Sequence, residues 1–443
     1  MTPLAPLLLD DERAASLLSG LVPGYREGVW QILSCRVAQT RRRVSRRLLN
    51  EGGLSLGVVW QLRVRDPDSG RVGEQWLYGR FFSGEQAPES FLDEAASACA
   101  MPRFGRPVEV LPEIGLVLWA LPNDPRIRQL SAFLDPAALA RHLPPELAPD
   151  AGTAVEASIV RHEPEEHCTA RFDVRRDGQR QTFFGKCYAD DRWRDARDAL
   201  DTLWRQSVAD ARAFEVGRPM GASPHLGALW QMAVSGVPLA DELLLPDGRW
   251  RVEALAAALV RLQDAGPLQG AADGPGEALE LAAKWRKKLV LAAPELADAA
   301  DPVVSLLGRT PQQRGRQVPV HGDFHVDQML WTGERIALFD YDNFVIGSPM
   351  RDLADCISQM LCRDDDGDWT TVAWRLMDAY RRQAPQDFDE EALDWTLRLM
   401  LLRKAYSFLV RNREGWQARA ERALLLALAG MTALPPVLGR MAA

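Results

Sequence analysis

His321-Gly322-Asp323-Phe324-His325-Val326-Asp327-Gln328 is followed closely by an apolar strand, Arg335-Ile336-Ala337-Leu338-Phe339, that ends on Asp340-Tyr341-Asp342. Gly347-Ser348-Pro349 and Asp352-Leu353-Ala354-Asp355 come next. Moving a phosphoryl group to a hydroxyl takes a carboxylate that orients the acceptor and oxygen ligands that hold Mg²⁺ on the nucleotide phosphates. A loop with Asp323 and Gln328, facing a strand that ends in Asp340, offers both. Asp323 follows the apolar Val318-Pro319-Val320, so it is expected in a loop at a strand end, where catalytic groups are commonly presented.

In order and spacing these motifs resemble the catalytic and metal loops of the aminoglycoside phosphotransferase and choline kinase group, small-molecule relatives of protein kinases. Chain length and the HGDxHxxQ string also resemble the bacterial maltokinases. The resemblance implies a γ-phosphoryl transfer from ATP, with Mg²⁺, to the hydroxyl of a small molecule. Asp323 would accept or orient the hydroxyl proton, and His321 would brace its loop. Gln328 stands where most relatives carry Asn; its amide oxygen would bind the metal together with Asp340. Asp342 would support Asp340, His325 would be a loop hydrogen-bonder, and Asp352 is expected to cap the following helix.

Two stretches of the first half look alike. Trp60 to Val64 leads through a polar turn to Trp76 to Phe82, and Ala170 to Val174 leads through Asp177-Gly178 to Thr182 to Tyr188. Each pair reads as a β-hairpin. Leu111 to Trp119 and Ser223 to Trp230 also share an order of Pro, apolar and Gly residues. Either two unrelated hairpins share common strand residues, or a small sheet is duplicated and its first copy serves as a cap. After residue 235 the apolar spacing turns helical, over Trp250 to Gln263, Pro275 to Leu291, Trp369 to Gln383 and Glu390 through Ala429. Pro- and Gly-rich joints fall near 143–152, 265–275 and 309–319, and one strand–loop–strand insert falls around 318–342. The expected class is α+β, a bilobal protein-kinase-like fold with an extra β-containing N-terminal cap. Residues 1–150 would be the cap, 151–234 the β-rich nucleotide-binding lobe, and 235–443 the helical lobe with the catalytic and metal loops.

Lys186 lies inside the aromatic and apolar strand Phe184-Gly185-Lys186-Cys187-Tyr188, where an ammonium is costly to bury unless paired. A strand-edge lysine that reaches water is one reading. The resemblance implies another: Lys186 binds the α/β-phosphates and an acid of the next helix, Asp195, Asp198 or Asp201, with Asp201 preferred. The nucleotide loop would be His162-Glu163-Pro164-Glu165-Glu166-His167, which has no glycine and whose glutamates must turn away from a triphosphate. The backbone of Gln231-Met232-Ala233-Val234 would read adenine. If the first copy is a degenerate nucleotide lobe, Arg80 stands where Lys186 does. One ATP per chain is then expected, contacted by Lys186 and not by Arg80, with the first copy covering or bracing the second.

The 443 residues carry a net charge of -8, 47% hydrophobic and 26% charged residues, which is ordinary for a globular protein and argues against non-specific nucleic-acid binding. The basic run Arg41-Arg42-Arg43 with Arg46-Arg47 reads as a solvated face. Six scattered cysteines fit reduced thiols in a cytoplasmic protein, and no stretch reads as a membrane span. A metal-hydrolase reading of His321, Asp323 and His325 needs further ligands from a chain with six histidines in all. The remaining competitor is a pseudokinase-like nucleotide-binding or scaffold protein without transfer. Trp369, Trp374 and Trp395 are candidates to face a sugar-like acceptor, and Asp364, Asp365, Asp366 and Asp368 could attract a cationic amine or form a solvated turn. The acceptor and the oligomeric state are not written in the sequence.

Overall fold

Period-two alternation builds two sheets in the first half of the chain, as seen in a computed structural model that describes residues 6–44, 55–81, 100–150, 155–176, 178–210, 214–265, 274–309 and 316–434. Arg46, Arg47, Asp177 and most of the joints at 265–275 and 309–319 lie outside the described residues. The first sheet holds β1 (Gln31–Arg43), β2 (Ser55–Arg65), β3 (Val72–Phe81), β4 (Val108–Leu111) and β5 (Leu116–Ala120), in the order β1-β2-β3-β5-β4. Along β2, Leu56, Val58, Trp60, Leu62 and Val64 are all buried, as residues two apart on one face must be. They pack on Leu8, Ala14 and Leu18 from the N-terminal helical segment, and the Trp60 indole N–H donates to the Leu8 carbonyl at 3.1 Å.

The second sheet holds β6 (Glu156–Glu163), β7 (His167–Arg176), β8 (Gln179–Tyr188), β10 (Pro219–Ser223) and β11 (Ala228–Met232). Its order, β6-β7-β8-β11-β10, repeats that of the first. Phe172 stacks on Phe183 at 5.4 Å and Trp230 on Phe133 at 5.5 Å, and all four rings are fully buried. Such rings dominate a core; truncating one to alanine typically costs about 3–5 kcal/mol. In both sheets the last two strands are joined by a 3₁₀ turn, Pro112–Ile114 or Pro224–Leu226. Each turn ends on a left-handed glycine, Gly115 at φ 63° or Gly227 at φ 55°, a conformation open to glycine at little cost. The Pro, apolar and Gly parallel in the sequence is therefore a shared turn.

The chain divides into two compact units. One comprises Met1–Trp193, Met220–Gln231 and Leu409–Glu414, and it contains both sheets. The other comprises Arg194–Pro219, Met232–Phe408 and Gly415–Ala443, and it is mainly helical. The architecture is mixed α+β, with sheets in the N-terminal part and helices in the C-terminal part.

In the helical unit, Gly248–Gln263 buries Val252, Leu255, Ala256, Leu259 and Leu262, and Trp369–Gln383 buries Val372, Leu376 and Tyr380. The Tyr380 hydroxyl donates to Gln263 Oε1 at 2.7 Å, and the same amide donates to the Pro349 carbonyl at 2.8 Å, so this core carries satisfied polar groups. The continuous apolar run from Glu390 to Ala429 is two helices, Glu390–Arg411 and Trp416–Ala429. Asn412 at φ 45° and Gly415 at φ 71° break the α-helical path between them, which side-chain periodicity does not register. The insert around 318–342 is richer than expected. Short strands β13 (Val318–Val320), β14 (Met329–Trp331), β15 (Ile336–Leu338) and β16 (Val345–Gly347) frame two loops. β15 also pairs in parallel with β9 (Glu215–Val216), and β14 pairs with β12 (Val237–Pro238). Among the described residues no helix is long and apolar enough to cross a membrane.

Candidate active site

All three residues of β13 are buried, so the chain enters the first loop from a fixed base. β16 pairs antiparallel with β13, Val318 opposite Gly347 and Val320 opposite Val345, and β14 pairs with β15. These ladders bring the loop 321–328 beside the loop 339–344. Gly322 has φ 77°, and a Cβ there would overlap the Asn343 carbonyl oxygen, so this position requires glycine on two counts.

His321 is buried, and its Nε2 lies 2.9 Å from the Phe339 carbonyl. A carbonyl only accepts, so Nε2 carries the proton and ties the two loops together. Asp352 does not cap its helix, Met350–Leu361; the N-cap is Pro349, without a side-chain cap, and Asp352 is the third residue of the first turn, at 0% exposure. Its carboxylate accepts the backbone N–H of His321 at 2.7 Å and of Gly322 at 2.9 Å. Burial pushes this carboxyl up, and the His321 ring with the two amides offsets part of that. Removing a buried acceptor strands both amides, at about 1–3 kcal/mol each. Asp352→Ala should therefore lower the unfolding free energy of the chain by several kcal/mol in urea titrations, whereas a loss below about 0.5 kcal/mol would contradict this role.

Asp323, Gln328 and Asp340 stand together. The Gln328 amide nitrogen is 3.0 Å from Asp323 Oδ2 and 3.5 Å from Asp340 Oδ2. Asp340 sits at φ 64°, a left-handed conformation uncommon outside glycine and enriched at functional sites. Behind it the Tyr341 hydroxyl donates to the Leu338 carbonyl. Among the described residues no group of three or more His, Cys, Asp or Glu side chains is placed to hold a metal. A pair such as Gln328 and Asp340 suits Mg²⁺, which keeps water and takes phosphate oxygens at its remaining positions. The Gln328 Oε1 is buried without a hydrogen-bond partner, an acceptor of the right chemistry for such an ion.

Sequence reasoning missed a cationic pair on the helix Glu390–Arg411. Arg403 reaches Asp323 Oδ1 and Asp355 Oδ2, each at 3.6 Å, and Lys404 is 4.0 Å from Asp355 Oδ1. His325 Nε2 lies 3.5 Å from Asp323 Oδ2. Burial alone would raise the Asp323 carboxyl, but His325, Arg403 and Lys404 together hold it well below the usual carboxylate range. Asp323 is thus an ionised, oriented acceptor at neutral pH. The signal was present as Arg403-Lys404 within Leu401-Leu402 and Ala405, two cations in an apolar helical run, and it named no partner. The tryptophan candidates divide differently. Trp369 is buried under the Arg363 guanidinium at 4.4 Å, and the Trp395 N–H is spent on the Leu307 carbonyl at 2.9 Å. In the acidic run, Asp368 caps Trp369–Gln383 and Asp365 pairs with Arg363.

The remaining sequence-selected residues fall in both units. In the sheet unit, half-buried Lys186 lies on β8 opposite Thr169, with its ammonium 5.4 Å from the Tyr188 ring centre, and Gln231 is half-buried on β11. In the helical unit, Asp201 is half-buried on Arg192–Ala209, where burial pushes its carboxyl up against the pull of Arg197. The Met232 N–H donates to the Arg218 carbonyl at 2.9 Å, and Ala233 and Val234 follow in open backbone. The turn from His162 to His167 does not cradle an anion as a glycine-rich loop does. The Glu165 N–H donates to Asp124 at 3.1 Å and the Glu166 N–H to the Glu163 carbonyl at 3.1 Å.

Residues 174–383 match the model of the phosphotransferase enzyme family (APH), just under half of the chain. The likeness to the phosphotransferase family is carried by that segment. No curated protein matches the chain. Among solved structures, choline kinase from Cryptosporidium parvum Iowa II is similar at a TM-score of 0.47 and 10% identity, over 67% of this chain and 94% of that one. A thermostable mutant of aminoglycoside phosphotransferase APH(4)-Ia, in a ternary complex with AMP-PNP and hygromycin B, gives 0.45 and 17% over 63% and 95%. Macrolide 2'-phosphotransferase MphH from Brachybacterium faecium gives 0.44 and 15% over 66% and 97%. The His321–Gln328 loop, Asp340 and Asp352 all fall inside the phosphotransferase-family segment, whereas Arg403 and Lys404 lie beyond its end.

Proposed function

We propose that this chain is a small-molecule kinase that transfers the γ-phosphoryl of MgATP to a hydroxyl. The observation that carries the reading is the convergence of Asp323, Gln328 and Asp340 on two loops locked together by His321 and Asp352. Gln328 and Asp340 would hold Mg²⁺, which draws charge from the phosphate oxygens when bound. Asp323, held ionised by its cationic neighbours, takes the proton of the acceptor hydroxyl as that oxygen bonds to phosphorus. The bond to the leaving ADP oxygen breaks, and ADP departs with the electron pair. His325 and Arg403 fix the direction of the Asp323 carboxylate. Lys186 would bind the α/β-phosphates, and the backbone of Gln231, Met232, Ala233 and Val234 would meet the adenine.

The turn at 162–167 favours a second reading, nucleotide binding without transfer, because its Glu165 and Glu166 amides are already engaged within the protein and not aimed at a phosphate. ADP release from MgATP, measured with and without amino alcohols, sugars and aminoglycosides, separates the two. The kinase reading expects release that depends on one acceptor class; binding with no release under any acceptor supports the other. Calorimetry should find one MgATP per chain, and Lys186→Ala should weaken it by about tenfold or more. An unchanged affinity would remove Lys186 from the site.

A further inference from the structure

The arginines that the first sheet points at the acidic turn explain how three glutamates can lie in a nucleotide loop. Glu165 takes φ 65°, and its side chain, 11% exposed, leaves toward the first sheet. There the Tyr78 hydroxyl donates to it at 2.7 Å, Arg80 at 3.1 Å, and Arg43 lies at 3.6 Å. Arg41 pairs with Glu166, and the Gln39 amide donates to Glu163, which Arg161 also holds at 2.5 Å. Burial first, and the Glu165 carboxylate second, push the Tyr78 phenol far above its ordinary value, so it remains a donor. On the turn's other side, His162 Nε2 donates to Asp124 at 2.9 Å, with both side chains fully buried. Asp124 also accepts the N–H of Arg126 and Ile127, and it stays below its usual range, burial being outweighed by His162 and these amides.

We infer that Arg80 and Arg41 of the first sheet are positioning residues of the nucleotide site that act through the acidic turn, holding and neutralising its carboxylates so that a nucleoside triphosphate can bind beside it. This rests on the reading of 162–167 as the nucleotide loop of a kinase. In that arrangement the turn covers the phosphates without donating to them, and the first sheet supplies the countercharge that glycine-rich loops do not need. Arg80 occupies the position equivalent to Lys186, after Gly79 as Lys186 follows Gly185; each glycine lies against a tryptophan ring, Trp60 or Trp230. The residue in the first copy therefore meets an internal carboxylate in place of a phosphate.

The test is a pair of double-mutant cycles on the full chain, read as the KM and the Kd for MgATP and as kcat. Arg80→Met leaves Glu165 without its nearest cation, so KM and Kd should rise on the order of tenfold with kcat changing less than about twofold. Glu165→Gln alone should change them little, and Arg80→Met with Glu165→Gln should return them close to the starting values. The half-exposed pair Arg41 and Glu166 should show the same pattern with Arg41→Met and Glu166→Gln, in variants that spare the buried core. A merely structural clamp would not be rescued by removing its second partner. The inference is overturned if Arg80→Met and Arg41→Met leave MgATP affinity unchanged, or if the paired variants bind no better than the arginine variants. A chain that transfers no phosphoryl group yet shows the pattern in Kd would refute the proposed function and leave this inference standing.

Discussion

Asp323→Asn should lower kcat by a hundredfold or more while MgATP still binds within about twofold of its original affinity. Asparagine keeps the shape of the side chain and its hydrogen bond to Gln328, but it cannot take a proton from the acceptor. It also removes the negative charge that Arg403 and His325 face, so the loop keeps its frame while losing its base. Steady-state kinetics and calorimetry on the same preparation separate the two effects. A variant with more than about a tenth of the original turnover would sink the assignment of Asp323 as the proton acceptor.

Asp340→Ala should abolish the Mg²⁺-dependent part of nucleotide binding, because a hard divalent ion would lose its only charged ligand in the proposed pair. Gln328 gives a graded companion. Gln328→Asn keeps an amide oxygen on a side chain one methylene shorter and should retain partial activity. Gln328→Leu offers no oxygen and should be inactive. Titrating MgATP and metal-free ATP separately checks this, since loss confined to the metal-dependent component is the expected signature. Full activity with leucine at 328 would remove Gln328 from the metal site.

How much of this was legible in the sequence depends on what kind of contact holds each residue. The His321–Gln328 loop, Asp340 and the strands beside them lie within a few residues of one another, so spacing placed them in one loop pair. Helices such as Trp369–Gln383 followed from three-and-four periodicity, because burial of one face fixes that period. Asp352 was misread as a helix cap. A sequence shows an acid near a helix start, but not that its carboxylate turns away from the helix's own amides to accept those of His321 and Gly322. Arg403 stood out only as a cation in an apolar run, because its partner, Asp323, is far away in the chain and meets it only through tertiary packing. Where the glutamates of the acidic turn would go was hidden for a related reason. Its countercharges come from Arg41, Arg43 and Arg80, which only the paired sheets bring within reach. The arrest at Asn412 to Gly415, which divides the long C-terminal apolar run, is set by backbone dihedrals, and side-chain periodicity carries no trace of those.

The most direct test of the central claim is ³¹P NMR of the purified chain with MgATP and a panel of amino alcohols, sugars and aminoglycosides, run beside Asp323→Asn. The account predicts a new phosphomonoester resonance with one acceptor class, growing as the γ-phosphate signal of ATP falls, and absent from the variant. The same resonance growing at an unchanged rate in Asp323→Asn, or MgATP bound by the wild-type chain with no phosphoester formed on any acceptor, would contradict it.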